Sequence, residues 1–186
     1  MKWPTHAVQS TWDSPLGPIN LCATPQGLAG LWFHDQRHRP DGKWFQHWAI
    51  DNQQPVLLET QRQLRAFFDG ALKRFDLPLD LMAGTLFQRD VWAALQGIPG
   101  GDTRSYGEVA HQVGRAAAVR AVGAAVGRNP ISIVVPCHRV VGANGALTGY
   151  AGGLDRKTAL LQLEGAAVWR NTNASMPASN VNSPNA

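Results

Sequence analysis

The stretch Ile131-Ser132-Ile133-Val134-Val135-Pro136-Cys137-His138-Arg139 ends an apolar, strand-like run on a thiol set between a proline and two basic residues. The reactive form of a cysteine is the thiolate, and neighbouring cations enrich it. Cys137 therefore reads as a candidate reactive thiol. The other cysteine, Cys22, lies between Leu21 and Ala23 and has the setting of an ordinary buried thiol. Successive side chains on a strand point to opposite faces, so His138 would reach the sulfur through a water or through a turn begun at Pro136. Glu164 falls in the last turn of an expected helix, where a carboxylate opposes the helix dipole. A histidine N–H is a partner that would hold it there.

A second group of residues points to DNA. On a helical wheel centred on Arg120, the residues Ala117, Gly123, Ala124 and Gly127 share its face, while Val119, Val122 and Val126 form an apolar stripe. The Arg120 face has almost no bulk and one long cation. A helical glycine costs about 1 kcal/mol relative to alanine, so two of them here imply that close approach is wanted. Tight helix–helix packing would use such a face. So would a helix pressed into a groove of double-stranded DNA with its arginine reaching into the duplex. A helix over Ser105–Val113 and a turn at Gly114 precede it, which makes a helix-turn-helix. The face holds no Asn, Gln or Lys to read base edges, as suits a protein that handles DNA without regard to sequence.

These groups need elements to carry them. Ala7–Trp12, Ile19–Thr24 and Leu28–Phe33 read as antiparallel strands, separated by the turn-rich Ser14-Pro15-Leu16-Gly17-Pro18 and Pro25-Gln26-Gly27. Residues 34–54 read as a loop and Val56–Phe68 as an amphipathic helix stopped at Gly70. Residues 73–84, broken by Pro78 and Gly84, read as an extended linker. Thr85 with Gln88 and Ser105 with Glu108 are capping boxes. A third helix runs from about Ala116 to Val126, and Asp155 is a cap for a last helix reaching Glu164. The expected units are 1–84, 85–168 and a polar, disordered tail over 169–186.

Composition narrows the class. The chain has 186 residues, 44% hydrophobic and 16% charged, which suits a globular protein with a real core. No apolar run is long enough to span a membrane, and the N-terminus lacks a secretory apolar segment, so a cytoplasmic protein is expected. Two cysteines suggest neither a disulfide framework nor a Cys-rich zinc site. Residues 1–84 carry eight basic and eight acidic side chains, whereas residues 85–165 carry eight basic against five acidic. The excess lies with the thiol and the helix-turn-helix, where a polyanion partner would need it.

The blocks Pro136-Cys137-His138-Arg139-Val140, Arg120-Ala121-Val122-Gly123, Asn129-Pro130 and Gly149-Tyr150-Ala151-Gly152-Gly153 together resemble the O6-alkylguanine-DNA alkyltransferases, the methylated-DNA–protein-cysteine methyltransferase family. The resemblance is strong over about 85–165, and Ser14-Pro15-Leu16-Gly17 and Gln26-Gly27-Leu28 resemble the family's first domain. It implies an α/β ribonuclease-H-like N-terminal domain and a mainly α winged helix-turn-helix domain. It also implies a single, irreversible transfer of an alkyl group from guanine O6, or less well from thymine O4, to Cys137 after base flipping. By the same resemblance His138 acts as base through a water and Glu164 orients it. Asn129 supports the turn, and Tyr106 crowds the phosphate and donates to guanine N3. Arg120 fills the emptied stack on a DNA-contacting surface that includes Ser105, Ala117, Ala121, Gly123 and Ala124. The carbonyls of Cys137 and Val140 accept from the guanine amine, and Ser132, Tyr150, Ala151 and Gly152 line the pocket. Thr24 and Ala29 stand where some relatives hold zinc, so no metal and no cofactor are expected. Ser132 and Ala151 replace the proline and serine of animal enzymes, which points to a pocket of the bacterial type, acting as a monomer. The alternatives are a non-catalytic alkylated-DNA sensor, against which the cysteine argues, an unrelated thiol hydrolase and a sequence-specific regulator.

Overall fold

The structure, a computed structural model, describes residues 3–166; the expected tail at 169–186 lies outside them. Three strands, β1 (Val8–Ser14), β2 (Gly17–Thr24) and β3 (Gly27–Phe33), form an antiparallel meander. A fourth, β4 (Ala49–Ile50), pairs parallel with β1, giving the order β3-β2-β1-β4. Residues 34–54 are not simply a loop. They contain α1 (Gly42–His47), capped by Asp41, together with β4. Trp44, Phe45 and Trp48 from this segment pack with Trp3 and Trp32 over Cys22 and Ala29. A six-residue helix is too short to display a period in sequence, and its aromatic face is organised by the sheet beneath it. The helix α2 (Pro55–Phe68) starts with proline in its first turn and buries Leu57, Leu64 and Phe67.

The edge of β3 does most to position the second half of the chain. The Leu28 N–H donates to Pro78 O (2.8 Å) and the Asp80 N–H to Leu28 O (2.8 Å), so the linker runs extended along this edge. Gly27 is required there: a Cβ would lie 2.3 Å from the Pro78 carbonyl oxygen, and its φ is +146°. Further along, the Leu31 N–H donates to Pro130 O and the Ser132 N–H to Leu31 O, both 2.9 Å. The segment leading to Cys137 is thus hung on the N-terminal sheet.

The second half contains α3 (Leu86–Gln96), β5 (Arg104–Ser105), α4 (Tyr106–Gln112), α5 (Val119–Gly127), β6 (Val140–Val141) and α6 (Leu154–Leu163). Both expected capping boxes form, at Thr85/Gln88 and Ser105/Glu108. The turn between α4 and α5 contains Gly114 at φ +68°, and β5 and β6 pair as a short parallel ribbon. Three expectations change. The third helix is split: a 3-10 turn over Ala116–Ala118 breaks at Ala118 (φ −102°, ψ 33°), and no side chain caps α5. Val119 is exposed rather than part of the core stripe, which is made by Val122, Ala125 and Val126. Gly153 (φ +91°) precedes α6, with Asp155 inside the first turn, where its charge still favours the helix dipole.

The run 131–136 is not a strand either. Prolines at both ends remove N–H donors, the pairing is limited to a single bridge from Leu31 to Ile131, and Ile133 takes φ +70°. A β-branched residue there stores strain. One continuous apolar core, from Ile19 and Leu31 through Trp92 and Val122 to Leu160, joins the two halves.

Candidate active site

Cys137 begins a 3-10 turn, Cys137–Arg139, so the expected alternation of strand side chains does not apply. Asn129, just beyond α5, builds the turn. Its Oδ1 accepts from the Ile131 N–H (3.0 Å), and its Nδ2 donates to Val135 O (2.8 Å), Cys137 Sγ (3.1 Å) and, more weakly, Ile131 O (3.4 Å). One amide therefore holds both the backbone and the sulfur. The thiol is almost completely buried, and burial raises its pKa, opposed by the Asn129 hydrogen bond and the Lys157 charge. The expectation that His138 and Arg139 enrich the thiolate is corrected here. Both side chains point to Glu164, and the resting thiol keeps its proton, so activation needs a base.

A candidate base sits in a buried trio. Glu164 caps the end of α6, with Oε1 3.0 Å from His138 Nε2 and 2.7 Å from Arg139 Nη2, while Arg139 Nε donates to Oε2 at 3.0 Å. Arg139 Nη1 also donates to Ile98 O. Burial opposes the Glu164 charge, yet the His138 and Arg139 hydrogen bonds bring its pKa down to about 2. An ionised carboxylate only accepts, so His138 Nε2 carries the proton and Nδ1 the lone pair. Nδ1 is buried and has no protein partner among the described residues. Burial lowers the His138 pKa, with Glu164 pulling the other way, so the imidazole rests neutral.

The sulfur lines a cavity of about 180 Å³ together with Tyr106, Gly123, Tyr150, Ala151 and Arg37. A larger cavity of about 470 Å³ lies behind the turn, against Val134 and Pro136, and the sulfur does not line it. Tyr106, at the start of α4, is half-buried and its hydroxyl donates to Gly149 O at 3.4 Å; burial raises its pKa. Tyr150 is buried, its hydroxyl has no partner among the described residues, and burial raises its pKa well above the ordinary value. Ser132 is buried and donates to Gln36 Oε1 (2.9 Å), while Gly152 packs so tightly that a Cβ would meet Tyr150 at 2.8 Å. Val140 O accepts from Lys157 Nζ (2.5 Å), leaving one lone pair for a ligand. Lys157 also donates to Thr148 O (2.8 Å), and burial brings its pKa down to about 8.

The small-faced helix opens toward solvent beside this cavity. Arg120, Ala121 and Ala124 are exposed on α5, and Ala117 is exposed on the preceding 3-10 turn. Gly123 faces the Tyr106 ring, where a Cβ would come within 3.7 Å. Ser105 is partly occupied by capping: its Oγ accepts from the Glu108 N–H, leaving the hydroxyl proton and one lone pair for another partner. Sequence reasoning set Arg139 by the thiol and missed Gln36, Arg37, Arg156 and Lys157. Gln36 and Arg37 sat in an apparent loop, and no local pattern distinguishes the others from surface cations.

The fold and site define a two-domain protein in which a thiol on a tight turn, beside a buried imidazole–carboxylate pair, opens next to a helix-turn-helix. Residues 7–81 match the family described as 6-O-methylguanine DNA methyltransferase, ribonuclease-like domain, and residues 86–166 match 6-O-methylguanine DNA methyltransferase, DNA binding domain. The methylated-DNA–protein-cysteine methyltransferase of Mycobacterium bovis is 51% identical over 154 residues, covering 83% of this chain and 90% of its own. That of Methanosarcina acetivorans is 50% identical over 157 residues, covering 83% and 96%. The crystal structure of Mycobacterium tuberculosis OGT in complex with DNA matches with a TM-score of 0.76 at 49% identity, covering 86% of this chain and 92% of that one. The chain belongs to the methylated-DNA–protein-cysteine methyltransferase family. It is a DNA-repair methyltransferase with a ribonuclease-like α/β domain followed by a winged helix-turn-helix DNA-binding domain.

Proposed function

We propose that Cys137 accepts the alkyl group of an O6-alkylguanine, or of an O4-alkylthymine, extruded from double-stranded DNA, in one irreversible turnover. The observation that carries this is the sulfur lining a small cavity that Tyr106 and the Gly123 face of α5 also line. The alkyl carbon lies inside the duplex, so the nucleotide must leave the stack at a cost of a few kcal/mol. Arg120, exposed on the bulk-free face, fills the space, while Ser105, Ala117, Ala121, Gly123 and Ala124 let the helix approach the backbone.

In the chemical step the Cys137 proton passes through a water to His138 Nδ1, and Glu164 stabilises the imidazolium that forms. The thiolate lone pair forms an S–C bond as the C–O6 bond breaks. The electrons of the broken bond return to the purine, which takes up a proton and leaves as guanine. Tyr106 donates to N3 of the departing base. The carbonyls of Cys137 and Val140 select its amine, and Ser132, Tyr150, Ala151 and Gly152 shape the pocket, held by the turn at Asn129. The transfer needs no cofactor or metal. The domains act as units of 1–84 and 85–168, in a monomer, in the cytoplasm; the family matches over 7–81 and 86–166 support the division. Among the described residues no helix is long and apolar enough to cross a membrane.

The test is intact-protein mass after mixing with a duplex carrying one O6-methylguanine, beside a Cys137→Ser control. The expected result is a stoichiometric gain of one methyl group mapped to Cys137. No gain with duplex binding retained would favour the sensor reading.

A further inference from the structure

The wall of the cavity at Tyr150–Gly152 is fastened to the N-terminal domain by arginine N–H groups on three consecutive carbonyls. Tyr150 O accepts from Arg37 Nη2 (3.2 Å), Ala151 O from the Arg37 backbone N–H (3.0 Å), and Gly152 O from Arg156 Nη1 (2.9 Å). Arg156, in the first turn of α6, is the more elaborately held of the two. Its Nε donates to Leu16 O in the β1–β2 turn (2.9 Å), and Nη1 also bonds Asp35 Oδ1 (2.7 Å). Its guanidinium stacks on Phe33, at the end of β3, 4.4 Å from the ring centroid. The same ring crowds Gly152, where a Cβ would lie 3.0 Å from Phe33 Cδ2. One planar fork thus meets the hairpin turn, the end of β3 and the pocket wall, a geometry that a lysine point charge cannot reproduce.

From this junction we infer that Arg156 is a positioning residue for the transfer: it carries the placement of the N-terminal sheet to the loop bearing Tyr150 and Ala151, and so sets the pocket wall against the Cys137 sulfur. This rests on the proposed alkyl transfer. The side chain touches neither the sulfur nor the helix face, so its effect is on the geometry of the bound base and not on the grip on the duplex. Misplacing a reacting group by about 1 Å can cost on the order of a hundredfold in rate.

The experiment follows single-turnover transfer from an O6-methylguanine duplex, by mass, at saturating duplex. It compares the wild type, Arg156→Met, which keeps the stem over Phe33, and Arg156→Lys, which keeps the charge on a single donor nitrogen without the planar fork. The amplitude reports the fraction of competent molecules, and the rate constant reports geometry. The expectation for Arg156→Met is full amplitude and a rate constant lower by about ten- to a hundredfold, with undamaged-duplex affinity unchanged. Arg156→Lys should fall between the two. Wild-type rate constants in both variants, or a loss of amplitude with an unchanged rate constant, would overturn the positioning role. If Arg156→Met does not fold, the Arg156→Lys rate constant decides by itself. Absence of transfer by the wild type would instead defeat the alkyl-transfer reading.

Discussion

Cys22 and Cys137 are both buried thiols, yet their regions of the molecule give them opposite chemistry. Cys22 lies in β2 beneath the Trp32–Trp48 cluster, where burial and the nearby Asp80 charge push its pKa up to about 12. Cys137 is buried too, and burial raises its pKa as well. The difference lies in what surrounds the sulfur. Cys137 has an amide donor at 3.1 Å, a cation near enough to favour the thiolate, a neutral imidazole next to it in the chain, and a cavity at its surface. Burial by itself protects a thiol. Burial with a donor, a neighbouring imidazole and an opening leaves the thiol protonated yet reachable by a ligand.

The largest effect that would break this comparison is loss of the acceptor. Cys137→Ser should abolish methyl transfer, while Cys22→Ala transfers at the wild-type rate, both measured by mass with the lesion duplex. Transfer that tracked Cys22 instead would reverse the two roles.

Asn129→Ala sharpens it next. The substitution strips the sulfur of its donor and leaves the Ile131 N–H without its partner, while the Val135 carbonyl keeps the Cys137 N–H. A buried group left unpartnered costs about 1–3 kcal/mol, so denaturant melts should show a loss in that range. Transfer by the remaining folded protein should slow as well. A variant as stable as the wild type would mean that the turn does not depend on this amide.

The response to pH is smaller and has a definite sign. The His138 pKa is lowered from 6.5 in the folded protein, so below pH 6.5 the unfolded chain takes up a proton that the native state refuses. This contribution to stability is complete above pH 6.5 and is lost as pH falls toward and through the lowered value. Transfer by still-folded protein should persist somewhat below pH 6.5, because the base remains neutral there. Glu164, with a pKa of about 2, stays charged throughout this range. A rate that fell with a midpoint above 6.5 would contradict the buried, neutral imidazole. Smallest of all, Cys22→Ala should cost about 1 kcal/mol in thermal unfolding, a packing effect without a chemical one.

Much of the site was legible locally. The two capping boxes, the Gly114 turn and the bulk-free face around Arg120 come from spacing, and the thiol–histidine pair comes from adjacency. The thiolate expectation failed because adjacency says nothing about direction. Arg139 and His138 both turn to Glu164, about twenty-five residues away in the chain. The apolar run 131–135 looked like a strand because hydrophobicity is what a strand and a buried turn share. Asn129 and two prolines decide between them. Gln36 and Arg37 sat in an apparent loop because the short helix and two-residue strand near them have no period to read.

The sequence by itself determined the helix starts at Thr85 and Ser105, the small helix face, the candidate nucleophile and the order of the two domains, since these depend on residues within a few positions of one another. The tertiary structure alone decided which cation serves which partner. It set Lys157 on the Val140 carbonyl, Gln36 on Ser132, and Arg156 between the N-terminal sheet and the pocket wall. Such choices belong to the tertiary structure because a buried polar group must find a partner wherever the packed chain brings one, and for Ser132 that partner lies 96 residues away.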